Sequence, residues 1–118
     1  MADVAKLEAV LDYIRMHPEE HHQDYWARRT DRGTTLCFAG TAVVLAGYQL
    51  DWTYGPDTTE RCVTSAGGPL SLARAAFISV VAARELGLTP EQAAALFSPA
   101  DNLDDLERIV KDIANEAA

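Results

Sequence analysis

Cys37, His17, His21 and His22 are the residue types from which thiol or metal chemistry is built. Cys37 lies in an uncharged run, Gly33 to Gly47, that reads Gly-Thr-Thr-Leu-Cys-Phe-Ala-Gly-Thr-Ala-Val-Val-Leu-Ala-Gly. A thiol in the first turn of a helix sits beside unpaired N–H groups, which lower its pKa and raise its thiolate fraction. A nucleophilic cysteine also needs a base. The three histidines lie upstream, and such a pair is defined by geometry rather than chain order. His17 and His21 are spaced i, i+4, at which two imidazoles share a helix face and can hold a metal.

Each of these roles has a plainer competitor. Phe38 and the small apolar residues after it predict a helix buried on every face, in which a thiol is an inert apolar group. Pro18 disfavours helical geometry at His17 and breaks the helix on which the i, i+4 pair depends. No Cys-x-x-Cys or His-Glu-x-x-His spacing supports a metal site. His17, at a helix end, can instead bond a terminal carbonyl. Gly67-Gly68-Pro69 lacks the lysine and spacing of a phosphate-binding loop, and Asp101, Asp104, Asp105 and Asp112 lack the ligand order and glycine of a calcium loop. The residues predict neither metal nor cofactor. They favour a structural Cys37, with a nucleophile as the alternative.

Binding chemistry has a second set of candidates. The 118-residue chain carries 10 Lys and Arg against 18 Asp and Glu, a net charge of −8. Nucleic acid and anionic membrane surfaces are poor partners for that balance, because phosphate contacts need clustered cations. Arg28, Arg29 and Arg32 form a small basic patch against this background, suited to an acidic peptide or other anion. Trp52 and Tyr54, beside a Gly55-Pro56 turn, suit an aromatic contact surface.

The elements that would position these groups follow from periodicity. Val4, Leu7, Leu11 and Ile14 recur at helical steps, predicting a first helix over 3–16 capped by Asp3 and ended by Pro18. Pro18 can open a short helical turn. A polar and aromatic connector leads to Trp26, and Ala27 to Gly33 reads as a charged loop. The buried helix is expected over 35–46, capped by Thr34 or Thr35 and closed by Gly47, with Gly40 marking close approach of a neighbouring backbone. Alternation around Trp52 and the Gly-Pro turn predict a hairpin, or an ordered loop resembling one, over about 50–64. Three further helices are expected over 71–86, 90–97 and 103–116. Gly87 stops the first, a Thr89/Gln92 capping box opens the second, and Asn102 caps the third.

Several of these segments together resemble a family of small uncharacterised proteins from actinobacteria and their bacteriophages. The matching pieces are Leu11-Asp12-Tyr13-Ile14 with His17-Pro18-Glu19, Gln23 and Trp26; then Thr34 to Gly47, centred on Cys37-Phe38-Ala39-Gly40; then Glu85 to Gln92, Leu96-Phe97 and Asn102 to Leu106. The resemblance implies an origin in such a bacterium or phage and imports no activity. Similar proteins often carry a bulky aromatic where this chain has Thr41.

The length suits a single domain, and an apolar share of 48% is enough for its core. The expected fold is mainly α: a compact bundle of four to five helices around the buried helix, with the hairpin as an insertion. Residues 1–17 carry acids and lack the apolar core of a secretion signal, and the apolar runs are shorter than the roughly 20 residues that span a bilayer. With two cysteines read as reduced thiols, this predicts a cytoplasmic protein, in the host cytoplasm if phage-encoded. The expected role is a non-enzymatic protein-binding or accessory module that engages a cytosolic protein. A small thiol-dependent enzyme using Cys37 with one of the histidines is the alternative. A homodimer stays open.

Overall fold

In the computed structural model, residues 2–53, 57–63 and 75–117 are described. Helix α1 (Val4–Met16) begins where Asp3 Oδ1 accepts the Lys6 N–H at 3.1 Å. It buries the stripe Leu7, Val10, Leu11 and Ile14 and gives way to a 3₁₀ turn at Pro18–Glu20. Among the described residues four further helices follow: α2 (Phe38–Leu45), α3 (Ile78–Leu86), α4 (Pro90–Leu96) and α5 (Leu103–Ala117). Between them, among the described residues, run six short strands: β1 (Ala27–Thr30), β2 (Gly33–Leu36), β3 (Gln49–Leu50), β4 (Thr58–Thr59), β5 (Arg61–Val63) and β6 (Ala75–Phe77).

The expectation of a mainly α bundle is therefore corrected. The strands form two antiparallel three-stranded sheets, ordered β2-β1-β4 and β3-β5-β6, beside the helices. The fold is mixed α/β. The first sheet comes from a segment read as a charged loop. Ala27–Thr30 pairs with Gly33–Leu36 across a tight turn at Asp31-Arg32. Gly33, at φ 120°, adopts a backbone conformation that side chains disfavour. Charged residues on β1 mask the strand signal because this small sheet is half wet.

The same pairing moves the start of the central helix. Thr34 and Thr35 are strand residues, as their β-branched side chains favour. The cap is Cys37, whose Sγ accepts the Gly40 N–H at 3.4 Å. Residues Phe38 to Val43 are buried, but Val44 to Gly47 emerge into solvent, so burial does not extend along the whole helix. Gly47, at φ 95°, follows its end as expected. The hairpin expected over 50–64 is half right. Leu50 does pair with Cys62, but β5 is the middle strand of a sheet completed by β6. Tyr54, Gly55 and Pro56 lie outside the described residues, as does Gly67-Gly68-Pro69.

The helix expected over 71–86 is shorter at its start. Ala75–Phe77 is a strand, and residues 71–74 lie outside the described ones. The Ile78 N–H donates to Glu60 O at 2.8 Å, so a bond to the chain between the sheets stands where a capping side chain would. Gly87 ends α3 in the left-handed region, at φ 67°. The α4 capping box is formed in both directions between Thr89 and Gln92. Asn102 Oδ1 accepts the Asp105 N–H at 2.9 Å and caps α5. Around α2 pack α1 and α3, and α5 lies against α1 and α4. Phe38, Leu7, Ile78, Leu86, Leu96 and Leu106 form the centre, each fully shielded.

Candidate functional site

Cys37 sits at the N-terminus of α2, where a reactive thiol would be placed, yet its environment suppresses ionisation. The residue is 1% exposed. Burial pushes its pKa up to about 11, against the smaller opposing effect of nearby backbone N–H groups led by that of Gly40. Desolvation therefore outweighs the helix terminus. The Thr41 hydroxyl donates to Cys37 O at 2.8 Å and ties down the same turn. Cys62 is buried too, and both thiols are free.

The three histidines separate into three structural jobs. His17 Nδ1 lies 3.0 Å from Tyr13 O, and its ring stacks on Tyr13 with centroids 4.2 Å apart. A carbonyl only accepts, so the proton is on Nδ1 and His17 closes the end of α1. His22 lies beside β2: its N–H donates to Leu36 O at 3.0 Å, and its Nδ1 accepts the Asp24 N–H at 3.3 Å. His21 is half-buried, with Nε2 at 2.9 Å from Gln23 Oε1. Among the described residues, none of the three is hydrogen-bonded to Cys37, and no group of three His, Cys, Asp or Glu is placed to hold a metal.

Gln23 is the polar residue that reading by motif passes over. It is 9% exposed. Its Nε2 donates to Leu96 O at 2.9 Å and to Ser98 O at 3.0 Å. Its Oε1 accepts the Phe38 N–H at 3.1 Å. These partners fix the carboxamide orientation, since reversing it would set oxygen against two carbonyls and nitrogen against an N–H. Gln23 Oε1 can then only accept from His21, so neutral His21 carries its proton on Nε2. One side chain thus ties the connector, the start of α2 and the end of α4.

The binding candidates fare differently from the thiol. The Arg29 guanidinium lies 4.1 Å from the Trp52 ring centroid, and that of Arg28 lies 4.8 Å from Tyr25. A third stack joins Arg61 to Phe77 at 5.2 Å. Arg32 is not part of this group: it lies at the β1–β2 turn and lines a separate cleft with Glu19 and Glu20. Tyr54 lies outside the described residues.

Two adjoining concavities share Trp26. One, of about 540 Å³, is walled by Tyr25, Trp26, Thr58, Thr59 and Arg61. The other is an open groove of about 710 Å³ between α3 and α4, lined by Val80, Ala83, Ala93, Phe97 and Trp26, with no charged side chain in its wall. Trp26 meets Phe97 edge-on at 5.9 Å. Its position is set from behind. Trp26 O accepts the Cys37 N–H at 3.4 Å and lies so close to Gly40 that a Cβ there would overlap it. This is the close backbone approach that Gly40 was expected to mark. Tyr25, Trp26, Arg61, Phe77, Val80 and Phe97 were not singled out as site residues from sequence. An aromatic pair before an arginine pair was the available signal for the first two.

No helix among the described residues is long and apolar enough to cross a membrane. Comparison of the chain with family models, with curated proteins and with solved structures gives no match, so the resemblance stated above rests on its quoted motifs alone.

Proposed function

We propose that this protein is a non-enzymatic protein-binding module acting on a cytosolic partner, in the cytoplasm of an actinobacterium or of a phage-infected host. The observation that carries the reading is the trio of arginine–aromatic stacks, Arg28 on Tyr25, Arg29 on Trp52 and Arg61 on Phe77. Arginine and aromatic side chains are the types enriched at protein interfaces, and stacking holds them in place before a partner arrives. Arg28 and Arg29 are consecutive on β1, so their stacks present arginine on both faces of that sheet, and Phe77 and Val80, 46% and 50% exposed, add apolar surface that leads from the Arg61 stack to the α3–α4 groove. A thiol enzyme finds no comparable support, because its nucleophile would be a shielded, protonated Cys37 without a histidine partner.

Affinity capture from an actinobacterial lysate tests the reading when the wild type is compared with Val80→Asp and Arg28→Ala. The expected result is a stoichiometric partner lost in both variants while each keeps its native circular dichroism. Capture that is identical for all three proteins, or that repeatedly yields no partner, overturns it.

A further inference from the structure

Among the described residues, the first sheet has an edge position to which no other strand is paired. Arg29 donates its N–H to Asp57 O at 2.7 Å, on the β4 side of β1. Its opposite number on β2 is Thr34. In an antiparallel ladder, a residue whose main chain faces one neighbour turns no hydrogen bonds to the other. The Arg29–Thr34 pair is therefore a non-hydrogen-bonded one, and the Thr34 N–H and C=O point away from β1. Leu36, two residues along, points the same way, and there the edge is covered: His22 donates to Leu36 O at 3.0 Å, and His21 pairs with Leu36 in parallel. Upstream of His21 the chain turns into the 3₁₀ turn instead of continuing alongside. Among the described residues no main-chain bond from another element reaches Thr34.

A cleft of about 580 Å³ occupies the space where that continuation would lie, lined by Glu19, Glu20, Thr30, Arg32, Thr34 and Thr35. Tyr13 donates its hydroxyl to Glu20 Oε1 at 3.0 Å, which holds that carboxylate in the cleft wall. The Thr35 hydroxyl is buried with no partner among the described residues. Two carboxylates face one guanidinium here, in a chain of net charge −8, so the cleft favours a cation.

We propose that this cleft binds an extended peptide segment of a partner protein that carries a lysine or arginine. The segment adds to the Thr34 edge as a short strand, taking the Thr34 N–H and C=O, and sets its cation between Glu19 and Glu20. The site is the β2 edge of the sheet, whereas the stacked arginines lie on its middle strand β1 and on β5 of the other sheet, and the proposed peptide contacts involve none of them.

The test is an amide chemical-shift titration at low ionic strength with two blocked pentapeptides, alternating valine with lysine in one and valine with glutamate in the other. Saturable shifts at Thr34 and Thr35 are expected with the lysine peptide, and binding about tenfold weaker with the glutamate peptide. Thr34→Pro removes the outward N–H without taking a bond from the β1–β2 ladder, and it is expected to weaken lysine-peptide binding about fivefold, while Thr34→Val retains it. Glu19→Gln with Glu20→Gln is expected to remove the lysine preference, and this variant decides the matter if the proline variant does not fold. An absence of saturable shifts with the lysine peptide, equal affinity for the two peptides, or binding unchanged in both the proline and the double glutamine variants overturns the proposal. None of these outcomes bears on Val80 or Arg28, so this site and the arginine–aromatic surface fail separately.

Discussion

Gln23 Oε1 accepts the Phe38 N–H at 3.1 Å, so the first free amide of the central helix is satisfied by a residue fifteen positions upstream. The other end of the same side chain holds Leu96 O and Ser98 O. Gln23→Leu preserves much of the volume and orphans all three backbone groups. It is expected to cost about 2–4 kcal/mol, read from urea unfolding. Gln23→Glu sets a second oxygen against the two carbonyls. That variant is expected to be weaker still at pH 7 and to recover toward pH 4 as the carboxyl gains a proton that can donate.

Gly40 separates propensity from packing. In an exposed helix, replacing glycine by alanine gains about 1 kcal/mol. Here the added Cβ meets the Trp26 carbonyl oxygen, a backbone atom that cannot swing aside. Gly40→Ala is expected to lose about 2 kcal/mol or more, as overpacking does, and to lower the melting temperature. A variant as stable as the wild type would remove Trp26 O from that position.

Thiol reactivity follows from burial. Cys37 is 1% exposed and Cys62 fully buried, and desolvation raises the pKa of both. Neither is expected to react with a disulfide reagent at pH 7.5 faster than the protein unfolds, and both are expected to react promptly in denaturant. Fast labelling of native Cys37 near neutral pH is the result that would restore the enzymatic reading.

His21 adds a pH dependence of definite sign. Burial, its largest cause, holds its pKa below the ordinary histidine value, with the Gln23 hydrogen bond opposing and His22 reinforcing the shift. As pH falls below about 6.5 the unfolded chain takes up this proton before the folded one does. The contribution is fully present above that pH and is lost as pH falls through the folded pKa. Urea midpoints are expected to drop between pH 7.5 and pH 5, and His21→Gln, which keeps a donor for Gln23, is expected to flatten that drop. Glu85, whose pKa is lowered chiefly by the Tyr48 hydrogen bond and then by Lys6, acts in a separate, more acidic window.

What could be read from sequence divides along a physical line. Helices whose signals are local were legible: Asp3 before α1, Thr89 and Gln92 before α4, and Asn102 before α5 all act within three residues of themselves. Of the strands, only the return of Arg61–Val63 against Leu50 was anticipated; β1 and β2 form a local hairpin whose arginines hid its alternation, and β4 and β6 are two or three residues long and held by partners distant in sequence. Thr34 and Thr35 show the conflict directly. Either hydroxyl could cap a helix, and pairing with Arg29 and Arg28 put both in a strand instead. Arg29 meeting Trp52 was within reach of a composition argument, which named both without joining them. Gln23 was not, since its role depends on three backbone groups that no local pattern brings together.

Glu60 stands where the chain leaves one sheet and enters the other, and its carbonyl receives the Ile78 amide at 2.8 Å. Both β-layers are thereby riveted to the first turn of α3 at a single peptide. A partner that levers β4 away would loosen the floor of the neighbouring groove through that rivet, and the Ile78 proton would be among the first to trade for deuterium. Mechanical strain entering at the arginines would thus be felt at Val80.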